Sequence, residues 1–189
     1  MIRIATVGDI GSGKSYIAKL FNYPIFNADL EVAKIYKINR QCFKNLKKKL
    51  PKYFSSFPIQ KEEIIKAISD NQTNLKKITK IIHPEIRKKM NIFLKKNKKK
   101  DAVILDIPLL LENKLNQNGD VIVFIQSKKL EIIKRLEKRK NFNLDLLNRF
   151  KKIQLPLGYK KKKSQFMIKN NFTNKSVKRS IKKILKNIL

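Results

Sequence analysis

The sequence GDIGSGKS, residues 8–15, decides the fold of this chain. It follows an apolar run at residues 2–7 that is typical of a buried strand, and it precedes the helical sequence YIAKLF at residues 16–21. A loop of the form G-x-x-x-x-G-K-[ST] between a strand and a helix indicates a phosphate-binding loop, or P-loop. The alternative is a glycine turn that fits the pattern by accident, and both flanking elements argue against it.

The chemistry of this loop follows from its backbone. Glycines let the chain curl so that successive N–H groups point at phosphate oxygens, and the following helix adds unpaired N–H groups. We expect Lys14 to reach the β- and γ-phosphates and the Ser15 hydroxyl to bind Mg²⁺. The residues predicted to bind the nucleotide here are Gly8, Gly11, Ser12, Gly13, Lys14, Ser15 and Tyr16.

The composition predicts a cytoplasmic protein with one α/β domain. A chain of 189 residues with 42% hydrophobic residues is long enough to bury a core. No apolar run approaches the roughly 18 residues of a membrane span, and the first strand starts at once, so we expect neither an anchor nor a secretory leader. Cys42, the single cysteine, excludes a disulfide framework and is expected to be a small, half-buried apolar residue.

The charge is strongly basic, with 46 Lys and Arg against 14 Asp and Glu and a net charge of +32. Such an excess suggests a polyanionic partner. However, 39 of these residues are Lys and only 7 are Arg, the residue favoured for bidentate recognition of phosphates and bases. The lysines also spread along the chain beside abundant Asn and Ile, which favours a bias towards A/T-rich codons. We therefore predict weak, salt-sensitive binding of nucleic acid and no specific nucleic-acid partner.

Two carboxylates lie near the ends of predicted strands, which face the ligand crevice in a parallel sheet. The short strand at residues 25–27 leads to Asp29, a candidate active-site carboxylate whose alternative role is to cap a helix beginning at Leu30. The apolar strand at residues 102–107 carries Asp106. An apolar strand that ends in Asp resembles a Walker B element, whose carboxylate binds Mg²⁺ directly or through water.

Helical patterns dominate residues 30–97, and no strand signal appears there. This segment is predicted to be a helical insertion that binds a substrate. The pair His83-Pro84 is predicted to interrupt the pattern, because proline disfavours helical geometry in the residue before it. The basic run at residues 95–100 is predicted to be a solvated loop.

Two arginines stand out in the predicted lid at about residues 130–163. Arg135 and Arg139 are four residues apart and so are expected on one face of a helix. Such a pair can close over ATP and stabilise the charge on the transferring phosphoryl group. The alternative is a solvated face that pairs with Glu131 and Glu137.

Taken in chain order, the motifs described above and several further segments resemble those of the dephospho-CoA kinase family along nearly the whole chain. The segments H-P-x-I-R and P-L-L-x-E are more specific than the P-loop, which many families share. The resemblance rests on GDIGSGKS at 8–15, NAD at 27–29, ITKIIHPEIR at 78–87, DIPLLLE at 106–112, the paired arginines, QLP at 154–156, Lys160, and FMIKN at 166–170.

The resemblance implies a P-loop NTPase fold: a three-layer α/β sandwich with a central parallel sheet, a helical insertion and a helical lid, all within residues 1–189. It implies ATP- and Mg²⁺-dependent phosphorylation of the ribose 3′-hydroxyl of 3′-dephospho-CoA, giving CoA and ADP, the last step of coenzyme A synthesis. The implied catalytic residues are Asp29, Lys14 and Arg139; Arg135 and Arg139 bind ATP; His83, Arg87 and Leu109 bind the acceptor; Ser15 and Asp106 bind the metal.

The chain departs from the family pattern at four places. Asp9 replaces a glycine and adds negative charge near the phosphates, and Asn27 replaces the first Asp of an Asp-Ala-Asp triplet. Residues 59–61 read Ile-Gln-Lys in place of Leu-Asp-Arg, and residues 164–165 read Ser-Gln in place of Ala-Asp. None of these changes removes a group that phosphoryl transfer requires.

Alternatives remain at this stage. His83 has two interpretations, as an acceptor ligand or as a residue that braces the expected helix junction. The chain as a whole could be a P-loop kinase for another nucleoside or nucleotide, or a P-loop protein whose ATP hydrolysis is stimulated by nucleic acid. The sequence does not specify an oligomeric state.

Overall fold

The computed structural model describes residues 1–138 and 142–189. It divides into two compact units. We call Met1–Asn27 with Asn97–Leu189 the sheet unit, and Ala28–Lys96 the helical unit.

The sheet unit contains five parallel strands in the order β2-β3-β1-β4-β5. Because all five are parallel, their carboxyl ends meet at one edge of the sheet. The predicted α/β fold with a central parallel sheet is therefore confirmed. The strands are β1 (Ile2–Gly8), β2 (Ile25–Asn27), β3 (Ala102–Asp106), β4 (Val121–Gln126) and β5 (Phe166–Lys169).

Nine helices lie in the described residues. The sheet unit contains α1 and α6 to α9, and the helical unit contains α2 to α5. In chain order they are α1 (Lys14–Leu20), α2 (Ala28–Ile38), α3 (Arg40–Lys49), α4 (Lys61–Asp70), α5 (Gln72–Lys96), α6 (Lys129–Glu137), α7 (Leu144–Lys152), α8 (Leu157–Lys162) and α9 (Asn174–Ile188).

Helices α1 and α9 cover one face of the sheet. Ile17 and Phe21 of α1 and Ile181 of α9 pack with alternate residues of the strands, including Ile4 and Ile104. Helix α9 contributes to this core, since Val177, Ile181 and Ile184 are buried and Leu185 and Ile188 pack against the cluster.

A buried ion pair joins the loop after β3 to α8, which lies against β1. The Lys160 ammonium is 2.7 Å from the Glu112 carboxylate, and the two side chains are 1% and 8% exposed. Lys160 also donates to the amide oxygen of Gln154, and Glu112 accepts the backbone N–H of Leu155. A charge this deeply buried is stable only with such partners. Glu112, Gln154 and Lys160 all belong to the quoted family motifs, and Lys160 contacts the other two.

In the helical unit, α5 contacts α2, α3 and α4. It runs without a break through Pro84, so the predicted interruption at His83-Pro84 is wrong. Proline removes one backbone hydrogen bond, but Ile82 and Ile86 on either side of it are buried. The free energy gained by burying these apolar side chains outweighs the preference of His83, the residue before the proline, for non-helical backbone geometry.

Two further boundaries differ from expectation. Helix α2 begins at Ala28, so Asp29 lies in its first turn and does not cap a helix that starts at Leu30. The basic run at residues 95–100 begins inside α5, which ends at Lys96. None of the helices in the described ranges combines the length and apolar character of a bilayer span.

We predict that Lys160→Met destabilises the protein by about 3 kcal/mol, because it leaves the Glu112 carboxylate buried without its cation. Urea denaturation followed by circular dichroism measures this change in the free energy of unfolding. Lys162→Met is the matched control, since Lys162 is an exposed lysine of the same helix. Equal stability of the two variants would contradict the prediction.

Candidate active site

The phosphate-binding loop joins β1 to α1, and two of its glycines lie too close to other atoms to carry a side chain. Gly8 has φ +150°, and a Cβ there would lie 2.6 Å from the carbonyl oxygen of Ile125 in β4. Gly13 has φ +90°, and its Cβ would lie 2.5 Å from the Asn170 amide nitrogen. Real Cβ atoms do not approach other atoms this closely, so the loop conformation requires glycine at both positions.

Two side chains from other strand ends anchor the loop. The carbonyl oxygen of Ser12 accepts hydrogen bonds from Ser127 Oγ (2.9 Å) and from Asn170 Nδ2 (2.8 Å). Ser127 follows β4 and Asn170 follows β5, and Asn170 is 3% exposed. Sequence reasoning did not assign Asn170 a role, although it stands in the FMIKN motif.

Lys14 lies over the loop, as its place in the motif predicts. Its ammonium is 2.7 Å from the carbonyl oxygen of Asp9 and 3.3 Å from that of Gly8. The Asp9 carboxylate accepts the backbone N–H of Ile10 at 2.7 Å. The negative charge that Asp9 adds is therefore held by a hydrogen bond to the loop backbone.

The Asp9 side chain also borders a cavity of about 290 Å³ at the end of β4. Lys129 and Lys161 line the same cavity. Lysines that line a cavity make its electrostatic potential more favourable for an incoming phosphate. The cavity thus contains two cationic residues as well as the added aspartate.

Asp106 ends β3 and is 3% exposed. Asn27 is its neighbour in the β2–β3 register, and the Asn27 amide donates a 2.6 Å hydrogen bond to Asp106 Oδ2. Ser15 is exposed in the first turn of α1, followed by the exposed Tyr16. Asp106 and the loop that leads to Ser15 both follow the carboxyl ends of parallel strands, at one edge of the sheet.

A hydroxyl and a carboxylate are hard oxygen donors of the kind that Mg²⁺ prefers. Within residues 1–138 and 142–189, no group of three or more His, Cys, Asp or Glu side chains is arranged to enclose a metal.

Arg135 is exposed on α6, with its guanidinium 4.3 Å from the ring centroid of Phe172. Arg139 lies outside the described residues, and α6 ends at Glu137, so the shared helix face of the two arginines stays a prediction. Leu109 is half-buried in the turn that follows β3.

In the helical unit, Asp29 borders a groove of about 680 Å³ between α2 and the segment that leads into α4. Val32, Ala33 and Ile59 supply apolar walls. Tyr36 also lines the groove, and burial raises the pKa of its hydroxyl, which therefore stays protonated. The groove thus combines a largely apolar surface with charged residues, among them the carboxylates Asp29 and Glu62. Sequence reasoning did not identify Tyr36, because nothing distinguishes it from an ordinary core tyrosine.

His83 and Arg87 lie one turn apart on α5. His83 is half-buried, and desolvation together with the nearby Arg87 charge lowers the pKa of its imidazole below 6.5. Because α5 is continuous, His83 does not brace a helix junction. Neither residue lines the groove beside Asp29, and their contact with an acceptor stays a prediction.

Comparison with known proteins identifies similar chains of matching length. A family profile described as dephospho-CoA kinase matches residues 2–176. A dephospho-CoA kinase from Wolbachia sp. subsp. Brugia malayi is 29% identical over 187 residues, which cover 96% of this chain and 95% of that protein.

Solved structures show a similar fold. The crystal structure of a Thermus thermophilus protein gives a TM-score of 0.78 at 22% identity and covers 100% of this chain and 98% of the other. A dephospho-CoA kinase from Campylobacter jejuni gives a TM-score of 0.63 at 21% identity and covers 98% of this chain and 96% of the other. At these identities the two structures support the fold alone.

The single histidine provides a pH test of the helical unit. We predict that the NMR titration midpoint of His83 lies below pH 6.5 and rises in Arg87→Gln, because the guanidinium disfavours the charged imidazole. Lys89→Gln, a change of an exposed lysine on the same helix, should leave the midpoint unchanged.

The same shift predicts a pH dependence of stability. Since the folded-state pKa is lowered, the contribution of His83 is fully present above pH 6.5 and is lost as the pH falls through the folded value. His83→Gln should remove this part of the pH dependence in urea denaturation. A wild-type midpoint at or above 6.5 would contradict both expectations.

Proposed function

This chain belongs to the dephospho-CoA kinase family, and we propose that its sheet unit binds ATP while its helical unit binds 3′-dephospho-CoA. The family catalyses the last step of coenzyme A biosynthesis, and the chain is a kinase of that step. The observation that carries the proposal is the family match over residues 2–176 in a chain that retains the complete loop GDIGSGKS.

In the proposed reaction, a bond forms between the ribose 3′-oxygen and the γ-phosphorus of ATP. The bond between that phosphorus and the β–γ bridging oxygen breaks, which gives CoA and ADP. The hydroxyl proton passes to a base on the protein. Catalysis of such a transfer depends on positioning and on neutralisation of charge more than on covalent chemistry by the protein.

Lys14 supplies charge neutralisation at the loop. Its ammonium contacts two loop carbonyls, and we propose that it exchanges them for the β- and γ-phosphate oxygens of ATP. Hydrogen bonds between an ammonium and a phosphate are charge-assisted and stronger than those to carbonyls. The loop N–H groups bind the remaining phosphate oxygens.

A divalent ion is expected for a kinase of this family, and we propose Mg²⁺ bound by the Ser15 hydroxyl and the Asp106 carboxylate. When bound, the ion neutralises charge on the β- and γ-phosphates. Asp106 is oriented for this role by the Asn27 amide, which fixes one of its carboxylate oxygens. Asn27 thus acts as a positioning residue where the family pattern has a carboxylate.

Asp29 is the proposed base that orients the 3′-hydroxyl and accepts its proton. Support comes from its match to the family triplet and from its place on the wall of the apolar groove. Arg135 and Arg139 are proposed to close over ATP and exclude water, which would otherwise hydrolyse it. His83, Arg87 and Leu109 are proposed to bind the acceptor.

We also infer a cytoplasmic location, with small molecules as the substrates and no specific nucleic-acid or membrane partner. The spread of lysine along the chain, with few arginines, supports this inference. The competing hypothesis, that nucleic acid stimulates ATP hydrolysis, can be tested directly.

The substrate assignment predicts that 3′-dephospho-CoA strongly stimulates ADP release from ATP and Mg²⁺, and that mass spectrometry detects a product heavier by one phosphate. Other nucleosides and nucleic acid serve as the comparison acceptors and effectors. Stimulation by one of these, without stimulation by 3′-dephospho-CoA, would refute the assignment.

We predict that Asp29→Ala lowers kcat by about 10²-fold or more, the scale of a lost general base. Glu31→Gln is the matched control, since Glu31 is the other acidic residue in the first turn of α2 and pairs with Lys34. CoA formation under saturating substrates measures both variants. Near-normal turnover of Asp29→Ala would remove Asp29 from the mechanism.

A further inference from the structure

Phe172 has an unusual backbone conformation for a bulky residue. Its φ is +61°, in the left-handed region that favours glycine. An aromatic side chain adopts this region only at an energetic cost, so the surrounding structure must impose it. Strain of this kind occurs preferentially at active sites and ligand sites.

The conformation is imposed by Asn170, the same residue that anchors the phosphate-binding loop. Asn170 Oδ1 accepts the backbone N–H of Phe172 at 2.9 Å, while Asn170 Nδ2 donates to the carbonyl of Ser12 at 2.8 Å. Asn170 is 3% exposed, and its bond to Ser12 is buried, whereas its bond to Phe172 is partly buried. One side-chain amide therefore fixes the position of Phe172 relative to the loop.

The ring of Phe172 lies at the rim of the loop. Its Cε1 atom is 3.5 Å from the point where a Cβ of Gly13 would be, immediately before α1 begins. An aromatic surface thus stands beside the residues that are proposed to bind phosphates. It is half-buried, which leaves part of the ring accessible.

A planar group already covers the ring. The Arg135 guanidinium lies 4.3 Å from the ring centroid, and Arg135 is exposed at the end of a long, flexible side chain. A cation–π contact at an exposed site is weak, so little free energy opposes its displacement. A nucleobase is likewise planar and stacks on aromatic rings.

We infer that Phe172 is the stacking platform for the base of the bound nucleotide, and that the base takes the position between the Phe172 ring and the Arg135 guanidinium. This inference rests on the proposed function, because it requires a nucleoside triphosphate in the loop. Stacking recognises the face of a base and not the hydrogen-bonding groups at its edges. A purine presents a larger face than a pyrimidine, so the platform favours purine nucleotides. Adenine and guanine differ at their edges, so the platform discriminates little between ATP and GTP.

Calorimetric binding of ATP and of inorganic tripolyphosphate, which has no base, tests the platform. Phe172→Leu should weaken ATP binding by about tenfold, within the range of one lost base–aromatic stack, and leave tripolyphosphate binding within about twofold. Phe57→Leu is the matched control, since Phe57 is also half-buried under a guanidinium, that of Arg40, in the helical unit. It should change neither affinity.

The outcomes separate this inference from the proposed function. Equal weakening of both ligands by Phe172→Leu, or no weakening of ATP, would show a structural role and overturn the platform alone. Failure of the wild-type protein to bind either ligand would overturn the proposed function as well.

A second variant tests the stack without removing the ring. The chain contains no tryptophan, so Phe172→Trp introduces a single indole as a fluorescent reporter. ATP and GTP should quench its fluorescence and retain their affinity, CTP should quench less, and tripolyphosphate should not quench. Equal quenching by ATP and tripolyphosphate, or none by ATP, would contradict stacking.

Discussion

The nucleotide site depends on a steric constraint: two loop positions have no room for a Cβ atom, and a third has little. A side chain at Gly8 would overlap the backbone of β4, one at Gly11 would press against Ile132 and Leu136 of α6, and one at Gly13 would overlap Asn170. Because the loop backbone approaches these neighbours so closely, β4, α6 and the residues after β5 all touch it. These distant segments therefore set the directions of the loop N–H groups. They also fix the position at which α1 begins, with Lys14 and Ser15 as its first residues.

Local signals in the sequence were sufficient for the strands and for the loop. Apolar runs placed β1 and β3 within one residue of their observed ends, because a parallel strand that is buried on both faces is apolar throughout. Local rules failed where burial opposed them. Pro84 does not end its helix, since Ile82 and Ile86 are buried on both sides, and the helix that carries Asp29 starts earlier than its capping pattern indicates. The roles of Asn170 and Phe172 could not be predicted, because they arise from a hydrogen bond between residues 158 positions apart.

The departures from the family pattern are accommodated by their immediate neighbours. An aspartate at position 27 would face Asp106 across the β2–β3 register, and two carboxylates there would repel each other without a cation between them. The Asn27 amide donates a hydrogen bond instead, so the strand end is stable in the absence of metal. Asp9 is similarly paired with the N–H of Ile10. Asn27 therefore replaces a charge with a hydrogen bond, whereas the charge that Asp9 adds is held by the loop backbone.

The bond from Asn170 to Ser12 also has a consequence for the order of events during synthesis. The loop sequence leaves the ribosome well before its anchor, which follows the last strand of the sheet. A contact with so large a separation along the chain forms late, since the intervening polypeptide must first exist and then close. The nascent protein thus carries its phosphate-binding sequence for some time without the anchored loop. The loop reaches its anchored conformation only after residue 170 has been added.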